Sequence, residues 1–391
     1  MNQGKYIFPQ IINFFTQYEF EKCVERYNGD KKIRKLSCRD QFLAMMFGQL
    51  GNLNSLSGII VCLNAHRRQL YHLGFRVNGF TLSTLTRANE NRDWRIYRDF
   101  ANLLIDKARK LYINDNDFQI DLDGVPYVLD STIIEMCLKL FPWAKFEKGH
   151  SAVKIHTQLD LRGNIPSFFL ISEAKMHDVN LLDRLEFERG AYYIMDRGYF
   201  DFERLYQIHK QKSYFIIRAK ASLSFTRLYS NKVDKTTGLK CDQIIKLNHF
   251  YAQKRYPEKL RRIKYYDEET DRGYVYLTNN FELEAITIVS LYKHRWQIEL
   301  FFKWIKQHLH INTFWGTSRN AVKTQICIVI STFLIVAIMK KQMNNNRNLY
   351  EILQILSVSL LAKIPLDKLI SEIELLNFEE PFQKQANLWD F

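Results

Sequence analysis

The chain has 391 residues, 47% hydrophobic and 14% aromatic, so it exceeds one ordinary domain and can bury a substantial core. Its formal charge of +14 is spread along the sequence, which points to a polyanionic partner met over a broad surface. None of Cys23, Cys38, Cys62, Cys137, Cys241 and Cys327 lies in a C-x-x-C pair, so neither a zinc module nor a dithiol redox motif is suggested, and reduced, mostly buried thiols are expected.

The opening, MNQGKYIFPQ, lacks the apolar core of a signal peptide, and a cytoplasmic protein is expected. Residues 1–112 read as helical. Ser37, three residues before Asp40, is a capping-box signal ahead of QFLAMMFGQL. A second helix is expected through SLSGIIVCLNAHRRQLYHLG, ending at Gly74. After a turn at Asn78-Gly79 comes the helical TLSTLTRANENRDWRIYRDFANLLIDKARK. Two short helices about a Gly-containing turn, followed by Arg87, Arg92, Arg95 and Arg98, fit a DNA-reading arrangement, although helical domains in general share that pattern.

From residue 118 the pattern changes to strands. A short apolar strand over residues 126–129 closes at Asp130, in VLDST. VKIHTQLDLRG and NIPSFFLISEA form two more strands around a turn at Gly163-Asn164. Asp178 is placed to cap a helix over VNLLDRLEF. Then come the strand AYYIMD, ending at Asp196, the helix FERLYQIHKQK and the strand YFIIRAK. This order describes an α/β fold, a mixed sheet with helices on its faces, over residues 118–220. Residues 221–285 alternate polar and aromatic positions between turn signals and read as a β-rich insertion. The sheet domain resumes over 286–345, and 346–391 form a helical C-terminal region.

Tyr292, Arg295, Glu299 and Lys306 lie within a helical stretch, residues 287–308. At ~100° per residue they share about 60° of arc. Ile298, Phe302, Ile305 and Leu309 occupy the neighbouring apolar arc. Surface ion pairing explains any single pair of these charges, but a carboxylate set among phosphate-pairing groups suits a metal-assisted site on a nucleic acid backbone. Residues 326–339 are apolar apart from Ser331 and Thr332, and their ~21 Å at 1.5 Å per residue reads as a buried core helix with no membrane role.

Asp130 and Asp196 each end an apolar strand of one sheet unit, where residues project into the ligand crevice. Each alone would pass as a turn or cap residue. With Glu299 they make a trio able to hold two divalent cations, Mg²⁺ or Mn²⁺ by their all-oxygen character. Asp121, Asp123, Glu135, Asp160 and Asp201 lack this placement and read as structural or solvated. Lys154 and His156 share one face of their strand, His156 as a hydrogen-bonded structural residue.

Y-x2-R-x3-E-x6-K at Tyr292, Arg295, Glu299 and Lys306, VLDST at Asp130 and MDRGYFD at Asp196 together resemble the DDE transposases of insertion sequence family 4. The resemblance covers roughly residues 118–345 and implies a ribonuclease H-like catalytic domain behind a helical N-terminal DNA-binding domain. It implies Asp130, Asp196 and Glu299 as catalytic metal ligands. Water would attack the transposon-end phosphodiester, and the freed 3′-hydroxyl would then attack target DNA. Tyr292, Arg295 and Lys306 would grip phosphates, with Arg218 and Lys220 as a second DNA-contacting pair. Double-stranded DNA, as terminal inverted repeats and target, is the implied partner of a homodimer working on the bacterial nucleoid. Some relatives stack a tryptophan of the insertion on a flipped base. No Trp lies between Trp143 and Trp296, so Tyr251, Tyr256, Tyr265 or Tyr266 would have to replace it.

A cut-and-paste DNA transposase is therefore expected. A metal-dependent nuclease that cuts without joining, and a catalytically silent DNA-binding descendant, are its competitors.

Overall fold

The computed structural model describes residues 4–115, 119–147, 150–309, 311 and 313–371. The helical region contains α1 (Ile7–Ile12), α2 (Gln17–Arg26), α3 (Cys38–Leu50), α4 (Leu56–Ala65), α5 (Leu82–Asn91) and α6 (Arg95–Tyr112). Local sequence starts these helices. Ser37 and Asp40 close the capping box expected at α3, and Thr16 with Glu19 closes another at α2. The second predicted helix stops at Ala65, well short of Gly74, and a 3₁₀ turn follows. Arg92 to Trp94 separate α5 from α6 where one helical run was expected.

Among the four arginines singled out, Arg92 is structural. It is buried, and its guanidinium donates to the carbonyls of Leu36 and Ser37 and to Gln41 Oε1. Arg92→Ala leaves these acceptors unmet and should destabilise the protein by roughly 3 kcal/mol, read by urea denaturation. A loss below roughly 1 kcal/mol would show that the three acceptors do not depend on it.

The sheet comprises β1 (Pro126–Cys137), β2 (Lys145–Glu147), β3 (His150–Asp160), β4 (Ile165–Glu173), β5 (Tyr192–Met195), β6 (Tyr214–Arg218), β7 (Phe225–Asn231), β8 (Leu239–Leu247), β9 (Leu260–Asp267) and β10 (Arg272–Thr278). β1 pairs antiparallel with β3, and β3 with β4. β1, β5 and β6 are parallel. Three antiparallel strands beside two parallel ones in the order β4-β3-β1-β5-β6 form the expected mixed sheet. The helix α7 (Phe202–Lys210) crosses from β5 to β6 and buries Leu205 and Ile208 against one face. Residues 221–285 carry β7 to β10 and α8 (Phe250–Arg255). They continue the same sheet, because β10 pairs antiparallel with β6 and β9 with β10.

The other face is covered by α9 (Ala285–Lys293), α10 (Trp296–His308) and α11 (Arg319–Gln342). α11 is long and apolar enough to cross a membrane, yet it is buried along nearly its whole length among α3, α5 and α6. This is the core helix expected over residues 326–339. Tyr112 Oη donates to the Ala337 carbonyl at 2.9 Å, and Asn320 Nδ2 donates to Asn89 O at 2.9 Å. The helical region and the sheet therefore share one continuous core. α12 (Leu349–Ser359) and α13 (Leu366–Ile370) finish the described chain, and the rest of the predicted C-terminal region, 372–391, lies outside it. Gln10 on α1 ties this end down, donating to Ile364 O at 2.7 Å and accepting from Leu366 N at 2.9 Å. All six cysteines are free. Cys23, Cys38 and Cys327 are buried, Cys62 and Cys241 are partly covered, and Cys137 is exposed.

Candidate active site

The strand register brings the two aspartates together. Leu129 opposite Met195 is the last parallel pair of β1 and β5, so Asp130 and Asp196 leave adjacent strands at one level. Strands in one sheet lie ~4.8 Å apart. β1 does not stop at Asp130, as its apolar run implied. It continues to Cys137 because β3 pairs with it the whole way, Asp130 lying opposite Thr157. What ends at Asp130 is the parallel partner. Side chains alternate across the pleat, and Val128 and Ile194 pack on the α10–α11 face, so Asp130 and Asp196 share that face.

α10 supplies the third carboxylate. Arg295 joins the elements, its guanidinium donating to Asp130 Oδ2 at 3.0 Å and to Glu299. Asp130 Oδ1 accepts the Ser131 N–H at 2.8 Å. Burial pushes the Asp130 carboxyl up to about 6. The Ser131 N–H and Arg295 oppose this, while the Asp196 and Glu299 charges add to it. Asp196 opens the turn Arg197–Tyr199, its Oδ1 accepting the Gly198 N–H at 2.8 Å. A Cβ on residue 198 would lie 3.0 Å from that oxygen, so glycine leaves the carboxylate room.

The four-residue stripe is divided between two helices. α9 ends at Lys293 and α10 starts at Trp296, with Arg295 N–H bonded three residues back to Tyr292 O. Tyr292 is buried, its ring 4.7 Å from that of Tyr276. Burial pushes its hydroxyl up to about 12, so it stays protonated. Lys306 Nζ donates to Ile133 O at 3.1 Å, fixing α10 to β1, and burial lowers its pKa. Arg218 ends β6 on the Asp130 face with its guanidinium 4.9 Å from the Tyr274 ring centroid. Lys220 is exposed, 5.1 Å from the Phe200 ring.

Asp130, Ser131, Thr132, Glu299, Phe302, Lys303, Lys306 and Gln307 line an open groove of about 600 Å³. Among the described residues no three His, Cys, Asp or Glu side chains are gathered closely enough to hold a metal ion. The guanidinium of Arg295 bridges Asp130 and Glu299 instead. The donor chemistry nonetheless fits a hard divalent cation. All three groups are carboxylates, and both others raise the proton affinity of Asp130, so positive charge between them is favoured. Arg295 already supplies such a charge.

Other expectations shift. Asp178 does not cap a helix: Asp178–Arg184 is a 3₁₀ segment with His177 at its cap position. The Asp178 carboxylate instead turns inward to Ser131 and Lys154. Lys154 and His156, on one strand face, were the sequence signal that a counter-charge had to meet them. His156 is fully buried, Nε2 2.9 Å from Ser172 Oγ, a structural residue as read. Asp160 pairs with Arg162 at 2.7 Å, and Asp201 caps α7. Of the tyrosines offered as a base platform, Tyr256 and Tyr265 are buried and unable to stack on a base. Tyr251 is 67% exposed, beside Phe250 at 71%.

Comparison with known proteins places the chain in a family. The family described as Transposase DDE domain matches residues 122–335, and a domain of unknown function matches residues 3–76. A Sinorhizobium fredii protein named as a transposase is 31% identical over 54% of this chain and 60% of its own length. The chain thus spans less than two thirds of that relative. A Geobacillus stearothermophilus protein named as the transposase of insertion sequence element IS5377 is 26% identical over 69% of this chain and 70% of its own. One from Synechocystis, named for element IS4SA, is 24% identical over 70% and 76%. A cryo-EM structure of a piggyBac transposase synaptic complex with hairpin DNA aligns with 94% of this chain and 82% of that one. Its TM-score of 0.46 and 12% identity are too low to add to the fold assignment. With more than half of its length matched, and with both aspartates and Glu299 inside the matched segment, the chain belongs to the Transposase DDE domain family.

Proposed function

We propose that this protein is a DNA transposase that cleaves the ends of its element and joins them to target DNA by metal-dependent phosphoryl transfer. The observation that carries this is that Asp130 and Asp196 leave adjacent strands on one sheet face, with Glu299 tied to Asp130 through Arg295 beside an open groove lined by Lys303 and Lys306. Asp130, Asp196 and Glu299 would hold Mg²⁺ or Mn²⁺. Bound there, two such cations would activate a nucleophile and stabilise the leaving oxygen of an in-line displacement. Lys303 and Lys306 on α10, with Arg218 and Lys220 across the sheet, would pair with phosphates on either side of the scissile bond. Arg295 must release at least one carboxylate as cations enter, and it remains close enough to meet a phosphate. Tyr292 acts by packing, holding α9 on the sheet so that Arg295 is aimed. Two copies would bridge paired ends in the cytoplasm, at the nucleoid.

The test is incubation of the purified chain with a duplex carrying its element's terminal repeat and with supercoiled target, with and without MgCl₂. Mg²⁺-dependent nicking at the repeat boundary and joined products are expected. Nicking without joining would make the protein a nuclease, and no Mg²⁺-dependent nicking would overturn the reading.

For the helical region, the DNA grip we propose keeps only Arg87 of the four arginines singled out in the sequence. Arg95 pairs with Asp93 at 2.5 Å and Arg98 with Asp99 at 2.7 Å, while Arg92 is buried. The loop between α2 and α3 instead exposes Lys31, Lys32, Arg34 and Lys35. They line a cleft of about 750 Å³ opposite Thr84, Arg87 and Asn91 of α5. Among the described residues none of these five cations makes an ion pair. The run KKIRK was the sequence signal. Replacing Lys31, Lys32, Arg34 and Lys35 together by alanine should weaken terminal-repeat binding at least about tenfold. The slope of log affinity against log salt should fall by ~0.9 per lost phosphate contact, ~2–4 in total. An unchanged slope would remove this cleft from the DNA contact.

A further inference from the structure

Beneath the carboxylates, on the opposite face of the sheet, lies a second polar cluster. Ser131 follows Asp130 on β1, so its side chain alternates to the α7 side with Leu129, and His156 opposite it does the same. There Ser131 Oγ donates to Asp178 Oδ1 at 2.6 Å. Lys154 Nζ, in a nearly buried side chain, donates to the same oxygen at 3.2 Å and to Met176 O at 2.9 Å. His156 Nδ1 lies 3.7 Å from it. The buried Tyr199 hydroxyl, in the turn after Asp196, has no hydrogen-bond partner among the described residues. Asp178 Oδ2 faces that turn too: a Cβ on Gly198 would lie 3.7 Å away.

We propose that Asp178 is a positioning residue for the active site, acting through Ser131 on Asp130. One residue thus carries two bonds through the sheet. On one face the Ser131 N–H holds Asp130 Oδ1, and on the other its hydroxyl is held by Asp178. Lys154 anchors the Asp178 carboxylate, so the peptide unit aiming Asp130 is fixed from below. The same carboxylate lies against the turn that starts at Asp196, which places it under both aspartates. If Asp178 merely neutralised Lys154, the Ser131 hydroxyl would be dispensable.

The inference rests on reading Asp130, Asp196 and Glu299 as cation ligands, and its test separates the two. Full-length protein bound to terminal-repeat DNA is titrated with MnCl₂, and free Mn²⁺ is followed by electron paramagnetic resonance. Cleavage rate against MgCl₂ is measured in parallel. Ser131→Ala and Asp178→Ala should each weaken Mn²⁺ binding about tenfold, as loss of a group supporting a metal ligand does. Each should raise the half-saturating Mg²⁺ concentration by a similar factor. Ser131→Thr, which keeps the hydroxyl, should restore both. The double variant should be no worse than Asp178→Ala, because both lie on one chain of contacts. Should Asp178→Ala fail to fold, the Ser131 pair carries the test, since it leaves the Lys154–Asp178 contact intact. Wild-type Mn²⁺ affinity in Ser131→Ala overturns the proposal. Mn²⁺ binding no tighter in the wild type than in Glu299→Gln overturns instead the reading of the trio.

Discussion

Glu299→Gln should lower cleavage of a terminal-repeat duplex by about 10³-fold or more, the equivalent of roughly 4 kcal/mol of transition-state stabilisation. Glutamine keeps the size of the side chain and an amide oxygen for the Arg295 guanidinium, so the α10–β1 contact survives. What disappears is one of the two negative charges, Asp130 and Glu299, that line the groove. Binding to the duplex should hold or tighten, because a charge repelling phosphate has gone. A gel-shift titration beside the cleavage assay separates these effects. Cleavage within about threefold of wild type would remove Glu299 from the chemistry.

Asp130→Asn should also abolish cleavage, yet in metal-free buffer it should make the fold more stable. Burial raises the Asp130 pKa from 3.8 to about 6, and this net shift already includes the attraction of Arg295. A folded-state pKa above the unfolded one means that the protonated carboxyl is the form favoured by the fold. Its contribution is fully present below pH ~4 and is lost as the pH rises through about 6. At pH 7.5 the ionised group therefore costs the wild type roughly 1–3 kcal/mol, which asparagine avoids. Urea midpoints at pH 7.5 should favour the variant, and the gap should close by pH 4. A variant less stable than wild type at pH 7.5 would refute the account. So would a gap that does not change with pH.

The site was legible in sequence where function is local. Asp130 and Asp196 stood out because each follows an apolar run, and Tyr292 to Lys306 because a helix repeats. What the sequence hid depends on pairing between distant segments. β1 runs past Asp130 because β3 keeps offering it hydrogen bonds, and nothing in STIIEMC announces that partner. The insertion joins the main sheet because Thr278 meets Ile216, a pairing invisible to local periodicity. The α9–α10 break contains neither glycine nor proline, so the helical pattern read straight through it. Asp178 looked like a cap because capping is the commonest fate of an aspartate ahead of a helical pattern. A buried lysine on a neighbouring strand claimed it instead.

The burial of α11 bears on how this protein can be shortened. Its apolar surface is shielded by α3, α5 and α6, which end at Tyr112 or earlier while α11 starts only at Arg319, and they are clasped to it through Asn320 and Tyr112. A fragment starting near residue 118 would carry the full acidic trio and a naked greasy rod able to enter a lipid bilayer. Such a fragment should emerge insoluble or membrane-bound, so excising the catalytic portion to obtain a smaller enzyme would produce a different kind of molecule.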